Sequence, residues 1–342
     1  MKKTVFYLTV VIFLFSCTNN SNSSKTEESS KDFTELDEQA RRLFASLPSI
    51  AADSGMNITP EKIALGKMLY FDNRLSKDST QSCNTCHNLE TFGVDNKSFS
   101  EGNDGELGER NSPTTLNAAF HIAQFWDGRE PDVEAQAGGP ILNPVEMAMP
   151  SEEAVTSRLS KIEEYKVAFA KAYPEDNSPI TYDNLKKAIG AFERTLVTPS
   201  KFDDYIAGNN EALTNKEKEG LQRYIKAGCT TCHSGALLGG NMYQKFGLFG
   251  DYWEYTKSDR IDGGKYEVTK KESDKYIFKV PSLRNIEKTG PYFHDGSVES
   301  LDDAISIMAK LQSNQDLNAQ EVNSIKVFLY TLTGEVPKES LL

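Results

Sequence analysis

Two short runs carry most of the chemistry this chain can do: Cys83-Asn-Thr-Cys86-His87 and Cys229-Thr-Thr-Cys232-His233. Together they use every cysteine except Cys17. In an exported protein four cysteines would ordinarily close two disulfides, and a Cys-x-x-Cys pair also suits a thioredoxin-like redox site or zinc. The histidine directly after each second cysteine separates these cases. In covalent attachment of c-type haem the two thiols add to the vinyl groups, and the next side chain lies beneath the ring as the proximal iron ligand. Two such runs, one in each half of the chain, point to two covalent haems, with Cys83, Cys86 and His87 holding one and Cys229, Cys232 and His233 the other.

Helical signals surround these runs. Thr59-Pro60-Glu61 reads as an N-cap with proline at the first helical position, leading into Ile63, Leu65, Met68 and Leu69. Tyr182, Leu185, Ile189, Phe192 and Leu196 recur at spacings of three and four, one face of an amphipathic helix. Thr214 with Glu217 forms a capping-box pattern ahead of Leu221, Tyr224 and Ile225. A last helix is expected from about Asn318, carrying Val322, Ile325, Phe328, Leu329 and Leu332. No segment alternates with period two for long. The expected fold is mainly α: two c-type cytochrome-like helical domains with long loops, 35–196 and 197–342, each carrying one covalent haem.

The chain has 342 residues, 38% of them apolar and 26% charged, and a formal charge of −12. That balance argues against nucleic acid, whose affinity rests on Lys and Arg neutralising phosphates. The apolar run Val5–Phe15 follows Lys2 and Lys3, and is too short for the ~20 residues that span a bilayer. It reads as the core of a signal peptide. Leu14-Phe15-Ser16-Cys17 resembles a bacterial lipobox, which predicts cleavage after residue 16 and a lipid anchor on Cys17, with a periplasmic location. Residues 17–34, rich in Ser, Asn, Lys and Glu at their start, read as a flexible tether.

Several further runs are similar to those of the bacterial dihaem cytochrome c peroxidases, over about Leu47 to Gly334. They are Ser82–Leu89, Arg110–Thr114, Gln124–Arg129, Gln136–Pro140, Pro144–Met147, Pro281–Asn285 and Pro291–Gly296. The resemblance implies that a C-terminal haem, held by His233 and Met308, takes electrons from a small donor, a cytochrome c or a cupredoxin. His/Met ligation raises the potential of such a haem. It also implies that the electrons pass to an N-terminal peroxidatic haem beneath which His87 lies, and there reduce hydrogen peroxide to water. Glu146 would serve as acid–base and Gln136 would hold peroxide by hydrogen bonding. Trp126, between the haems, would relay electrons. The resemblance further implies a calcium ion held by the Asn111 side chain and the Thr289 and Pro291 carbonyls, oxygen ligands that suit this ion. Family members are commonly homodimers.

The chain departs from the family at one informative place. Many members carry a distal histidine sixteen residues past the proximal one, which blocks the peroxidatic iron until the other haem is reduced. Here that position is Asn103, in the glycine-rich loop Ser100–Gly108, and a peroxidatic haem open in the fully oxidised state is expected. Of the remaining histidines, His121 is expected to pack near Trp126, with ligation of the peroxidatic iron as the alternative, and His294 to serve as a propionate partner or outer hydrogen bonder. Two other functions compete. Dihaem relatives that mature tryptophylquinone act on a bound protein, but carry Tyr where Met308 stands. A non-enzymatic dihaem carrier would close both irons with two protein ligands, which Asn103 and the Gln136/Glu146 pocket oppose.

Overall fold

The computed structural model describes Met1, residues 31–52 and residues 55–342. The predicted signal peptide, the lipobox with Cys17 and most of the tether lie outside the described residues. Phe33–Leu342 cluster into one compact unit. Among the described residues no helix is long and apolar enough to cross a membrane.

The structure is mainly helical. The helices of at least eight residues are α1 (Thr34–Leu43), α2 (Pro60–Tyr70), α3 (Val133–Leu142), α4 (Glu152–Leu159), α5 (Glu163–Ala172), α6 (Tyr182–Glu193), α7 (Asn215–Lys226), α8 (Leu301–Ser313) and α9 (Ala319–Leu329). The capping chemistry read from the sequence is present. The Thr59 hydroxyl accepts from the Lys62 N–H with Pro60 in the first turn, and Thr214–Glu217 and Asn318–Glu321 form reciprocal capping boxes. The only strands among the described residues are β1 (Tyr243–Lys245) and β2 (Ile277–Lys279), an antiparallel pair with Tyr243 opposite Lys279.

One arrangement occurs twice. Gly66 of α2 faces the Ala188 carbonyl of α6 so closely that a Cβ would lie 1.9 Å from its oxygen, and Gly220 of α7 faces the Ser324 carbonyl of α9, where a Cβ would lie 2.3 Å away. Only glycine lets two helix backbones meet at this distance. One turn after each glycine stands a buried tyrosine packed on a phenylalanine of the opposing helix. Tyr70 and Phe192 rings are 5.3 Å apart, Tyr224 and Phe328 5.0 Å. The α2–α6 crossing packs further on α3 and α5 through Leu65, Leu69, Ile141, Phe169 and Leu185. The α7–α9 crossing forms a separate core with Phe202, Leu221, Ile325 and Leu332. Helix α1 joins this second core through Leu36, Ala40 and Phe44, while Val336 and Leu341 near the C-terminus lie against the first, beside Tyr70 and Phe192.

Loops are pinned by buried polar groups. Arg284, 1% exposed, grips Asp203 with NH1–Oδ2 at 2.6 Å and NH2–Oδ1 at 2.9 Å, and also donates to the Ala236 carbonyl. Asp203 in turn accepts from the Leu47 and Ser200 N–H groups. The pair therefore ties the segment after α1, the short helix Lys201–Ile206 and the loop after His233 to one point. Arg284→Ala would leave a buried carboxylate uncompensated, at a cost of about 3–5 kcal/mol. Gly220→Ala would force α7 and α9 apart at a cost of order 1–3 kcal/mol. In Gly139→Ala the new Cβ meets nothing nearer than 3.9 Å, so stability is expected to hold or rise. Denaturant unfolding of the three variants checks this order.

Candidate functional site

Two cavities collect the residues singled out in the sequence. The first, of about 700 Å³, is lined by Cys83, Cys86, His87, Gln136, Glu146 and Trp126. The second, of about 490 Å³, is lined by Cys229, Cys232, His233, Met308 and again Trp126. Asn111, Thr289 and Pro291 also border the second. Trp126 thus belongs to both walls. Its indole N–H donates to the Asn111 carbonyl at 2.9 Å, which fixes the ring.

Each Cys-x-x-Cys-His run sits on a single helical turn, Cys83–Cys86 and Cys229–Thr231, just downstream of a glycine-bearing helix. The tyrosine of that helix reaches the run directly. Tyr70 donates to the His87 carbonyl at 2.6 Å and Tyr224 to the His233 carbonyl at 2.9 Å. Six residues past each histidine a glycine with positive φ makes a close approach: Gly93 to Thr114 and Thr115, and Gly239 to the Pro281 carbonyl and the His233 ring. The His233 Nδ1 donates to the Leu238 carbonyl at 2.9 Å, which leaves Nε2 as the ring's free acceptor. Burial lowers the pKa of both histidines, with backbone groups of Gly93 and Pro113, or of Leu238 and Pro281, acting in the opposite sense. Both rings are therefore kept neutral, the form that ligates iron.

All four thiols are free, so neither run forms a disulfide. Burial raises their pKa values, Cys86 to about 11 and Cys229 to about 12. No group of three or more His, Cys, Asp or Glu side chains among the described residues is placed to hold a metal ion, which leaves the zinc alternative without a ligand set. Paired free thiols, a neutral buried imidazole and a mostly apolar cavity beside them fit a covalently attached haem at each run.

The two cavities differ in polarity. Carboxylates and guanidinium groups line the first, among them Glu101, Arg110, Asp127, Arg129, Glu146 and Glu193. Glu146 Oε1 accepts from the Asn143 amide at 2.8 Å. Burial raises its pKa, against the hydrogen bond from Asn143 and the charge of Arg129. Gln136 comes from α3, whose N-cap Asp132 accepts from Ala135 N–H. Arg129 lies over the Phe125 ring at 3.4 Å and pairs with Asp127 at 3.0 Å. Arg110 bridges Asp127 and Asp262. Glu193, which the sequence reading did not single out, is a second buried acid in this wall; burial and Glu134 push it up to about 8.

The loop with Asn103 is folded on itself and onto the segment that carries Glu146. Gly102 N–H donates to Glu106 and Asn103 N–H to the Glu146 carbonyl at 2.7 Å, and a Cβ on Gly102 would lie 1.8 Å from the Val145 carbonyl oxygen. The Asn103 side chain is engaged by Asp78, Thr80 and Asp104. His121 lies in the wall of the second cavity, where its Nδ1 meets Lys279 Nζ at 2.8 Å. His294, 2% exposed, is enclosed by Phe278, Tyr252, Phe246 and Trp126, with its Nε2 unpartnered.

Comparison with known proteins agrees with this geometry. Residues 60–211 match the sequence profile described as di-haem cytochrome c peroxidase. The chain is 44% identical over 310 residues to the cytochrome c551 peroxidase of Pseudomonas aeruginosa, covering 89% of this chain and 88% of the relative. It is 44% identical over 303 residues to the protein of the same name from Nitrosomonas europaea, covering 86% and 89%. Among solved structures, a MauG-like protein associated with microbial copper homeostasis superposes with a TM-score of 0.76 at 28% identity, over 86% of this chain and 96% of that one. With that identity over most of both sequences, and two attachment runs in cavities that share one tryptophan, the chain belongs to the dihaem cytochrome c peroxidase family, oxidoreductases with two haem c groups.

Proposed function

We propose that the protein reduces hydrogen peroxide to water in the first cavity, with electrons that a small periplasmic donor, a cytochrome c or a cupredoxin, delivers at the second. The observation that carries this reading is Trp126, a wall of both cavities, with the acid–base candidate Glu146 and the hydrogen-bonding amide Gln136 in the first alone. Haem attached at each run supplies the redox iron when bound. His87 and His233 would hold the iron at the two runs, and Met308 of α8, in the wall of the electron-entry cavity, would be its second protein ligand there. The divisions 35–196 and 197–342 correspond to the two haem domains, each built on one glycine crossing, except that helix α1 packs in the second core and Val336 and Leu341 pack against the first.

Within the first cavity Glu146 would take the proton of one peroxide oxygen and return it to the oxygen that leaves as water. Gln136 orients the peroxide through its amide. Trp126, fixed by its bond to Asn111, lies on the path of the electrons. Asn111 also serves a calcium site with the Thr289 and Pro291 carbonyls. Its amide N–H₂ donates to the Lys97 carbonyl at 2.8 Å, which leaves Oδ1 as its acceptor for the ion. The protein is held to a membrane by lipid on Cys17 and works as a homodimer.

Asn103, bonded to Asp78, Thr80 and Asp104, leaves the first cavity without a distal histidine from this loop, so no reductive activation is required. Peroxide-dependent oxidation of reduced cytochrome c, started from the fully ferric protein and from the half-reduced protein, is expected to begin without a lag in both. A lag confined to the ferric form would overturn the open site, and no turnover from either would overturn the peroxidase reading.

Glu146→Gln is expected to lower kcat/KM by about 10²–10⁴-fold, the usual contribution of a positioned acid–base. Glu146 must be ionised to accept the first proton, and burial raises its pKa. Activity is therefore lost, as pH falls, at a pH above the ordinary glutamate value of about 4.3. Because the Arg129 charge opposes the shift, Arg129→Gln moves this acid limb to still higher pH. The pH profile of kcat/KM for the two proteins measures the displacement.

A further inference from the structure

The wall of the second cavity is almost free of charge. Its lining contains no Asp, Glu or Arg among the described residues, and Lys279 is its one lysine. Lys279 is 6% exposed, and nothing but burial acts on its pKa, which falls to about 8. Other buried cations in this protein have acidic partners: Arg284 has Asp203, Arg194 has Glu134 and Lys218 has Asp37. Lys279 has an imidazole. Its Nζ meets His121 Nδ1 at 2.8 Å, and an ammonium group can only donate, so His121 accepts there as the neutral ring. Burial and the Lys279 charge both hold His121 well below the usual imidazole pKa, consistent with that assignment.

Both partners are fixed by backbone. Lys279 ends β2, and its N–H donates to the Trp126 carbonyl at 2.8 Å. His121 is boxed in by Gly240, where a Cβ would lie 2.6 Å from the ring, and the next residue, Ile122, donates to the Gly240 carbonyl at 2.9 Å. A buried ammonium is costly unless an opposite charge meets it. The geometry holds such a group at the edge of a haem-sized space and leaves two of its three donors for something other than His121.

We propose that Lys279, aimed by His121, is the anchoring site for a carboxylate side arm of the haem in the second cavity, and that the pair sets that haem's reduction potential. This rests on haem attachment at Cys229 and Cys232. Lys279 is a cofactor-binding residue in this account, and His121 a positioning residue acting through it. A carboxylate left without its cation disfavours the electron that reduction adds nearby, so removal of the lysine charge lowers the potential.

The test is a potentiometric titration of the His/Met haem, with covalent haem counted separately by the mass of the chain. Lys279→Met is expected to carry two haems and show a lower midpoint potential, and Lys279→Arg to restore most of the difference. His121→Ala, which frees the lysine without removing it, is expected to lower the potential by less; it carries the test alone if Lys279→Met does not accumulate as folded protein. Two haems with an unchanged or raised potential in these variants would overturn the inference while leaving the peroxidase reading intact. An unaltered chain with no haem at Cys229 and Cys232 would overturn both.

Discussion

The contact between a glycine and the carbonyl of a crossing helix is the constraint from which both cavities are built. At Gly66–Ala188 and Gly220–Ser324 the backbones approach more closely than any side chain permits. That approach brings Tyr70 and Tyr224 onto Phe192 and Phe328 and aims each hydroxyl at the carbonyl of the histidine that ends a Cys-x-x-Cys-His run. The repetition continues beyond the helices. Asn117 and Asn285, each four residues past a proline, adopt positive φ near 60° and each starts a short 3₁₀ turn. Both donate through their side-chain amides to the Thr198 hydroxyl at 2.8 Å. Thr198, fully buried, is thus the point at which the two copies of the arrangement are joined.

On this shared frame the two cavities have been furnished differently. The first is rich in acids and arginines, as a cavity that moves protons needs to be, and Glu146 is buried enough to be tuned yet kept in place by Asn143. The second, among the described residues, has no Asp, Glu, Arg or Lys in its wall but Lys279, an environment suited to passing electrons with little reorganisation. Trp126 takes part in both walls, and its backbone carbonyl receives the Lys279 N–H while its indole donates to Asn111. The proposed relay residue, the second cavity's cation and the expected calcium ligand are therefore mechanically one unit.

Much of this was legible in the sequence, because attachment of haem and helix capping are local in sequence. Each Cys-x-x-Cys-His run is contiguous, and Thr59, Thr214 and Asn318 announce helices that begin beside them. The internal repeat was less visible. Its signals, Gly-x-x-x-Tyr at 66–70 and 220–224 and a small residue four before Phe at 188–192 and 324–328, look like ordinary helix sequence until the helices cross. The His121–Lys279 pair was out of reach, since 158 positions separate its members. The sequence reading expected His121 near Trp126; the histidine meets Lys279, whose backbone is bonded to that tryptophan. The glycine-rich Asn103 loop is tied to the Glu146 segment because Gly102 permits a contact with Val145. Periodicity carries no information about such long-range polar contacts.

The central claim is that electrons stored at the second cavity are consumed by peroxide at the first. Rapid mixing of the half-reduced protein, with only the His/Met haem ferrous, against one equivalent of hydrogen peroxide tests it most directly. The account predicts that the absorption bands of that ferrous haem disappear within the mixing series in the unaltered protein, and far more slowly in Glu146→Gln, whose second cavity is untouched. Bands that persist in the presence of peroxide, or that disappear equally fast in both proteins, would contradict it.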